Sequence, residues 1–209
     1  IKDNYPTIQA DLFLEEFPDS YKILRGASDA HSAWTAECNG GKPYDLAFLM
    51  DTPSFERVGA NGAECIKSAK KNINIDHHIS NPLNLCTLNL VEPEASSASE
   101  VLYVNLDKAK ISRDTASSLY LGIVHDTGAF KYSCTGKRTM QVVGDLIEAG
   151  VDFAEIVNET YYTRTYKQTL ITGYAMQQSK LGLGGKVVYS YITPEDMERF
   201  GVTPVELST

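Results

Sequence analysis

Asn72-Ile73-Asn74-Ile75-Asp76-His77-His78 lies at the centre of the chain's pattern of strands and helices. Asn72 to Ile75 reads as a short strand, and it runs straight into an acid and two histidines. Upstream, Asp45-Leu46-Ala47-Phe48-Leu49-Met50 is an apolar run that ends at Asp51 and reads as a buried strand. Between the two, Ala63, Cys65, Ile66 and Ala69 have helical spacing over residues 62–71. Downstream, residues 97–106 read as a helix through Val101, Leu102 and Val104. Residues 116–124 form a strongly apolar helix pattern that ends at His125-Asp126-Thr127-Gly128. Residues 140–149 repeat the period and stop at Gly150, which suits the left-handed position past a helix end. Strands alternating with helices predict an α/β fold, a mostly parallel sheet flanked by helices.

The composition shifts near residue 159. Residues 159–178 are rich in Tyr, Thr and Gln and read as two helical segments around a turn at 163–166. Gly182-Leu183-Gly184-Gly185 marks a turn, residues 186–192 read as a strand, and Thr193-Pro194-Glu195-Asp196 opens a helix that Gly201 stops. The expected organisation is a first domain over residues 1–158, a helical linker over 159–182, and the start of a second α/β domain over 183–209. Tyr161, Tyr162, Tyr166 and Tyr174 are expected to pack the linker against the core, with base stacking as the alternative.

Of the 209 residues, 43% are hydrophobic and 22% charged, which is globular composition and excludes a disordered chain. Lys and Arg number 19 against 27 Asp and Glu, so the net charge of −8 excludes a protein that coats nucleic acid through a basic field. It does not exclude a phosphate ligand, because a bound metal reverses the local sign. No apolar stretch is long enough for a transmembrane helix, and the first residues lack the apolar core of a secretory signal. Cys38, Cys65, Cys86 and Cys134 contain no CxxC pair and read as reduced cytosolic thiols, which places the chain in the cytoplasm.

Three acids end elements: Asp51 and Asp76 close strands, and Asp126 closes a helix. Ligand chemistry in open α/β sheets gathers outside the carboxyl ends of the strands, where Asp51 and Asp76-His77-His78 fall. Mixed carboxylate and imidazole donors suit a divalent metal, with imidazole shifting preference from Mg towards Mn. Each acid alone also suits a turn or a helix cap. His31 and His125 read as surface or supporting residues. Gly136-Lys137 is not a P-loop, because Arg138 follows and position 131 is Lys rather than Gly. Lys131, Lys137 and Arg138 form a local basic rim, either solvated or holding an anionic substrate.

Together, Asp51-Thr52-Pro53, Ile75-Asp76-His77-His78 and Gly122-Ile123-Val124-His125-Asp126-Thr127-Gly128-Ala129-Phe130 resemble the DHH phosphoesterase family. Ser96-Ser97-Ala98-Ser99-Glu100 and Tyr132-Ser133-Cys134-Thr135 also fit, so the resemblance covers about residues 40–180. The branch it points to cleaves very short oligoribonucleotides and dephosphorylates 3′-phosphoadenosine 5′-phosphate. The resemblance implies two Mn ions, with Mg as the alternative, sharing a bridging carboxylate at Asp51. It makes His77 and Asp126 ligands of one metal, Asp76 the acid that supports the cluster, and His78 the residue that faces the substrate phosphate. Lys131, Lys137 and Arg138 are the substrate-binding candidates, and short RNA or phosphoadenosine phosphate is the expected substrate, with no membrane partner and a homodimer left open.

The chain departs from the family in two places. Residues 1–50 lack the first motif, a histidine with two aspartates, and Asp29-Ala30-His31 does not replace it. The Gly-Gly-Gly-His type run of the substrate domain is also absent. The chain starts at Ile1 rather than Met, and the expectation is truncation at both ends. The parent protein is then a phosphodiesterase, and this chain alone is inactive or nearly so. A manganese pyrophosphatase and a non-catalytic nucleotide-binding or regulatory module are the rival readings.

Overall fold

The computed structural model describes residues 1–207, which form two compact units. Ile1–Glu15 and Lys22–Val157 make the first unit; Glu16–Tyr21 and the chain from Asn158 onward make the second.

In the first unit, β1 (Ala47–Met50), β2 (Asn72–Asp76) and β3 (Leu88–Val91) form a parallel sheet in that order. Helix α1 (Gly59–Ser68) connects β1 to β2 and packs on one face. Its Ile66, with Ala69 just beyond, meets Ala47 and Leu49 of β1 in a buried cluster. Side chains alternate across a strand, so the neighbouring residues of β1 serve the other face. On the opposite face Ile75 packs with Ala95 and Val101, the last of which lies on α2 (Ala98–Asn105). Helices α3 (Arg113–Asp126), α4 (Lys137–Glu148) and α5 (Phe153–Val157) complete the unit. Ile123, Val124 and Leu146 are fully buried there. The sheet is parallel and flanked by helices, an α/β fold as the alternation predicts.

Helix ends follow local chemistry. Ser97, Ser112 and Thr165 each accept a backbone N–H of the first helical turn, the capping that short polar side chains provide. Gly150 takes the left-handed conformation that stops α4, at φ 96°. Strand β3 is not predicted by the sequence reading. It has four residues, one of them Asn89, and follows a turn-rich loop, so it carries almost no periodic signal.

The second unit contains α6 (Tyr166–Gln177), a two-stranded antiparallel hairpin of β4 (Lys180–Gly182) and β5 (Val187–Tyr189), α7 (Pro194–Phe200) and α8 (Pro204–Leu207). Residues 159–182, expected as a separate linker, here share a compact unit with β5 and α7. Thr193 caps α7 with Pro194 in its first turn, as expected. The expectation that the tyrosines pack against the core is corrected for two of them. Tyr162 and Tyr166 are exposed, because their positions face away from buried Thr160 and Ile171. Tyr174 packs on Phe200 of α7, with ring centroids 5.2 Å apart.

Among the described residues no helix is long and apolar enough to cross a membrane. All four cysteines are free thiols.

Candidate metal centre

Asp51 is the first residue beyond β1, and its N–H donates to the Ile75 carbonyl at 2.9 Å, extending the ladder by one bond. It adopts a left-handed φ of 52°, a conformation that Asp tolerates better than most residues. Asp76 is the last residue of β2 and is wholly buried. The parallel register therefore places both acids at the same end of the sheet. Asp126 is the last residue of α3, where the helix dipole is negative and favours a cation nearby.

These elements bring side chains together. His77 Nε2 lies 3.4 Å from Asp51 Oδ1 and 3.5 Å from Asp126 Oδ2. Asp51, His77 and His78 each bring a donor atom to within 4.8 Å of the others. Ligands bound at about 2.0–2.2 Å around one cation are about 3.0–3.5 Å apart, so the spacing around His77 fits a divalent ion. The tautomer fits as well. His77 Nδ1 faces the Ala95 carbonyl at 3.3 Å, and a carbonyl only accepts, so Nδ1 carries a proton and Nε2 is the nitrogen turned towards Asp51, Asp126 and any cation between them.

Asp76 supports the cluster from below. Its Oδ1 accepts from the His77 and His78 backbone N–H groups at 2.8 and 3.3 Å, and from His78 Nδ1 at 2.6 Å. Burial pushes this carboxyl up, but the bonds from Asn81, His78 and the backbone outweigh it and hold Asp76 below the usual carboxylate value. His78 thus carries its proton on Nδ1 and is left with Nε2 to meet a ligand.

Charge is crowded here. Burial, with the Asp51 charge behind it, pushes the Asp126 carboxyl up to about 6, and His77 and His78 only partly offset this. The hydrogen bond to Asp51 raises the His77 imidazole, against the effect of its own burial.

Beyond Asp126 the chain makes an unusual turn. Gly128, Ala129 and Phe130 are all left-handed, at φ 56°, 54° and 66°. Thr127 Oγ1 secures it, donating to the Ile123 carbonyl at 2.6 Å and accepting the Phe130 N–H at 3.1 Å. A Cβ on Gly128 would lie 2.5 Å from the Tyr132 ring, so only glycine fits.

Lys131, Lys137 and Arg138 are all exposed. Arg138 is engaged by acids: Nη1 donates to Glu92 at 2.7 Å and Nε to Glu100. Glu100 is buried and also accepts from Ser96 Oγ at 2.5 Å and Thr139 Oγ1 at 2.8 Å, tying α2 to α4. His31 is exposed against Phe13, and His125 is half-buried with its imidazole pushed down by burial. Sequence reading misses Asn74 and Asn81, both buried beside Asp76. β2 alternates as Asn72-Ile73-Asn74-Ile75-Asp76, so Asn74 reads as an ordinary polar position and gives no sign of its burial.

The sequence pattern of the DHH family, N-terminal domain, matches residues 4–123. The chain is 26% identical over 208 residues to the probable bifunctional oligoribonuclease and PAP phosphatase NrnA of Streptococcus mutans, covering 95% of this chain and 64% of that one. It is 30% identical over 168 residues to the bifunctional oligoribonuclease and PAP phosphatase NrnA of Bacillus subtilis, covering 78% of this chain and 52% of that one. It thus spans between half and two thirds of the length of these relatives. An exopolyphosphatase-related protein from Bacteroides fragilis has the same fold, with a TM-score of 0.84 at 21% identity over 98% of this chain and 62% of its own. With strand-end acids, paired histidines and more than half its length matched, the chain belongs to the DHH family, on the branch of the NrnA proteins.

Proposed function

We propose that this chain carries part of the active site of a metal-dependent phosphoesterase for very short oligoribonucleotides or for the 3′-phosphate of 3′-phosphoadenosine 5′-phosphate. The observation that carries the reading is the approach of Asp51 Oδ1 and Asp126 Oδ2 to His77 Nε2, at 3.4 and 3.5 Å. The named activities of the Streptococcus mutans and Bacillus subtilis relatives support the substrate class.

Asp51, His77 and Asp126 would hold a divalent cation, with His77 Nε2 between the two carboxylates, and their mixed donor set suits Mn, with Mg as the alternative. Such an ion supplies a Lewis acid for a phosphoryl oxygen and a water of lowered pKa. The chain's own residues orient the rest. The Ala95 carbonyl holds the proton of His77 on Nδ1. Asp76 does the same for His78, whose Nε2 is then placed to hydrogen-bond a phosphoryl oxygen or assist the leaving group. Lys131 and Lys137 offer exposed positive charge for the remaining phosphate oxygens. Arg138, held by Glu92 and Glu100, would act by fixing the start of α4.

The test is hydrolysis, with Mn2+, of a ribodinucleotide, of 3′-phosphoadenosine 5′-phosphate and of pyrophosphate. It is run on the longest reading frame that contains this chain, as wild type, Asp51→Asn and His77→Ala. The expected result is turnover of the first two substrates and its loss in both variants. Turnover of pyrophosphate alone, or activity indifferent to both substitutions, would overturn the reading.

A further inference from the structure

Two buried amides join the halves of the site. Asn74 Nδ2 donates to the carbonyls of Leu49 at 3.2 Å and Thr52 at 3.3 Å, on either side of Asp51. Asn81 Nδ2 donates to Asn74 Oδ1 and to Asp76 Oδ2, both at 2.7 Å. Asn81 Oδ1 accepts the Leu83 N–H at 2.9 Å, and the Asn81 N–H returns to the His78 carbonyl at 3.1 Å. The orientation of both amides is fixed, because every group facing Nδ2 is an acceptor. Both amide hydrogens of each side chain have partners.

We infer that Asn81, acting through Asn74 and Asp76, is a positioning residue that sets the separation of Asp51 from His77 and His78 and so the affinity of the site for a divalent cation. One arm of the relay grips the left-handed turn that carries Asp51. The other grips the carboxylate on which both histidines are built. The β1–β2 ladder reaches the same two segments through the backbone, by the Asp51 N–H bond to the Ile75 carbonyl, and the two amides add the side-chain link. Asn74 and Asn81 are 0% and 6% exposed, so water cannot replace a lost bond without reorganising the site. The two residues lie outside the donor set and act only through it. The inference rests on the proposed metal centre.

The test is Mn2+ binding to this chain, read by electron paramagnetic resonance, with thermal unfolding measured in parallel. The variants are Asn81→Ala, His77→Ala and Val143→Ala, the last a core substitution in α4. The expected result is one Mn2+ bound by wild type, none by His77→Ala, and a dissociation constant raised about 10–100-fold by Asn81→Ala, the range for groups that orient metal ligands. Val143→Ala should lower the unfolding temperature while leaving Mn2+ affinity as in wild type. Equal affinity in Asn81→Ala and wild type would overturn the inference and leave the metal centre standing. Binding that survives His77→Ala, or no binding by wild type, would overturn the metal centre and the inference with it. Asn81→Ser retains one short donor and a cap for Leu83, so it carries the same comparison if Asn81→Ala does not fold. Its expected affinity lies between those of Asn81→Ala and wild type, and wild-type affinity in Asn81→Ser would count against the relay.

Discussion

Asp51 combines a left-handed backbone with a charge aimed at His77, and the two properties separate by substitution. Asn tolerates the left-handed region about as well as Asp, so Asp51→Asn keeps the turn and removes the charge. The prediction is a stability within about 0.5 kcal/mol of wild type, as for an exposed substitution without strain, together with loss of Mn2+ binding. Urea unfolding and Mn2+ titration on the same sample check both halves. A large loss of stability would mean that the charge holds the turn; unchanged Mn2+ affinity would remove Asp51 from the donor set. Asp51, Asp76, His77, His78 and Asp126 are legible in the sequence because each ends or follows an element with a clear apolar pattern. Asn74 and Asn81 are not. A buried amide in a strand and an Asn before Pro82 resemble ordinary loop chemistry until the partners across the chain are seen.

Between elements, two contacts decide how α2 meets its neighbours. A Cβ on Gly122 of α3 would lie 2.1 Å from Ser99 Oγ and 3.0 Å from Ser99 Cβ of α2, so the helices touch through a missing side chain. Gly122→Ala should cost about 1–3 kcal/mol by overpacking. In a Ser99→Gly background the same substitution should cost little, and a urea double-mutant cycle reads the difference. Additive costs would show that the close approach is unimportant. The second contact is Glu100. Burial raises this carboxyl, but bonds from Ser96, Arg138 and Thr139 outweigh it and hold it below its ordinary 4.5. The unfolded chain therefore binds this proton first as pH falls, so the contribution of Glu100 is full above pH 4.5 and is lost as pH drops through the folded value. Glu100→Gln should cost roughly 1.5–3 kcal/mol at pH 7, the scale of a charge-assisted hydrogen bond. The penalty should shrink in acid, with the wild-type urea midpoint falling more steeply below pH 4.5 than the variant's. Parallel slopes would contradict the assignment. Arg138 reads from sequence as part of a basic rim because its acidic partners, Glu92 and Glu100, lie 46 and 38 residues away. The pairing of β3 is hidden for a different reason: its four residues lie only 15 positions beyond their partners in β2 but carry almost no period of their own.

At the scale of the molecule, the net charge of −8 takes on a local meaning. Part of that acidity is gathered at the carboxyl ends of β1 and β2 and at the end of α3, around one imidazole. On the proposed reading, an acidic protein takes an anionic substrate because a bound cation would reverse the sign where the phosphate arrives. The parallel sheet does the gathering: register sets Asp51 beside Asp76, and the α2 entry supplies the Ala95 carbonyl that orients His77. The alternation of strand and helix makes this architecture legible; in the second unit β5 and the capped start of α7 are legible too, while β4, three residues long, offers no periodic signal. The account turns on a cation between Asp51, His77 and Asp126. The most direct measurement is the anomalous difference map of a crystal soaked in Mn2+. The expected result is a peak within about 2.0–2.3 Å of Asp51 Oδ1, His77 Nε2 and Asp126 Oδ2. A strongest peak elsewhere on the chain, or bound Mn2+ that His77 does not touch, would contradict it.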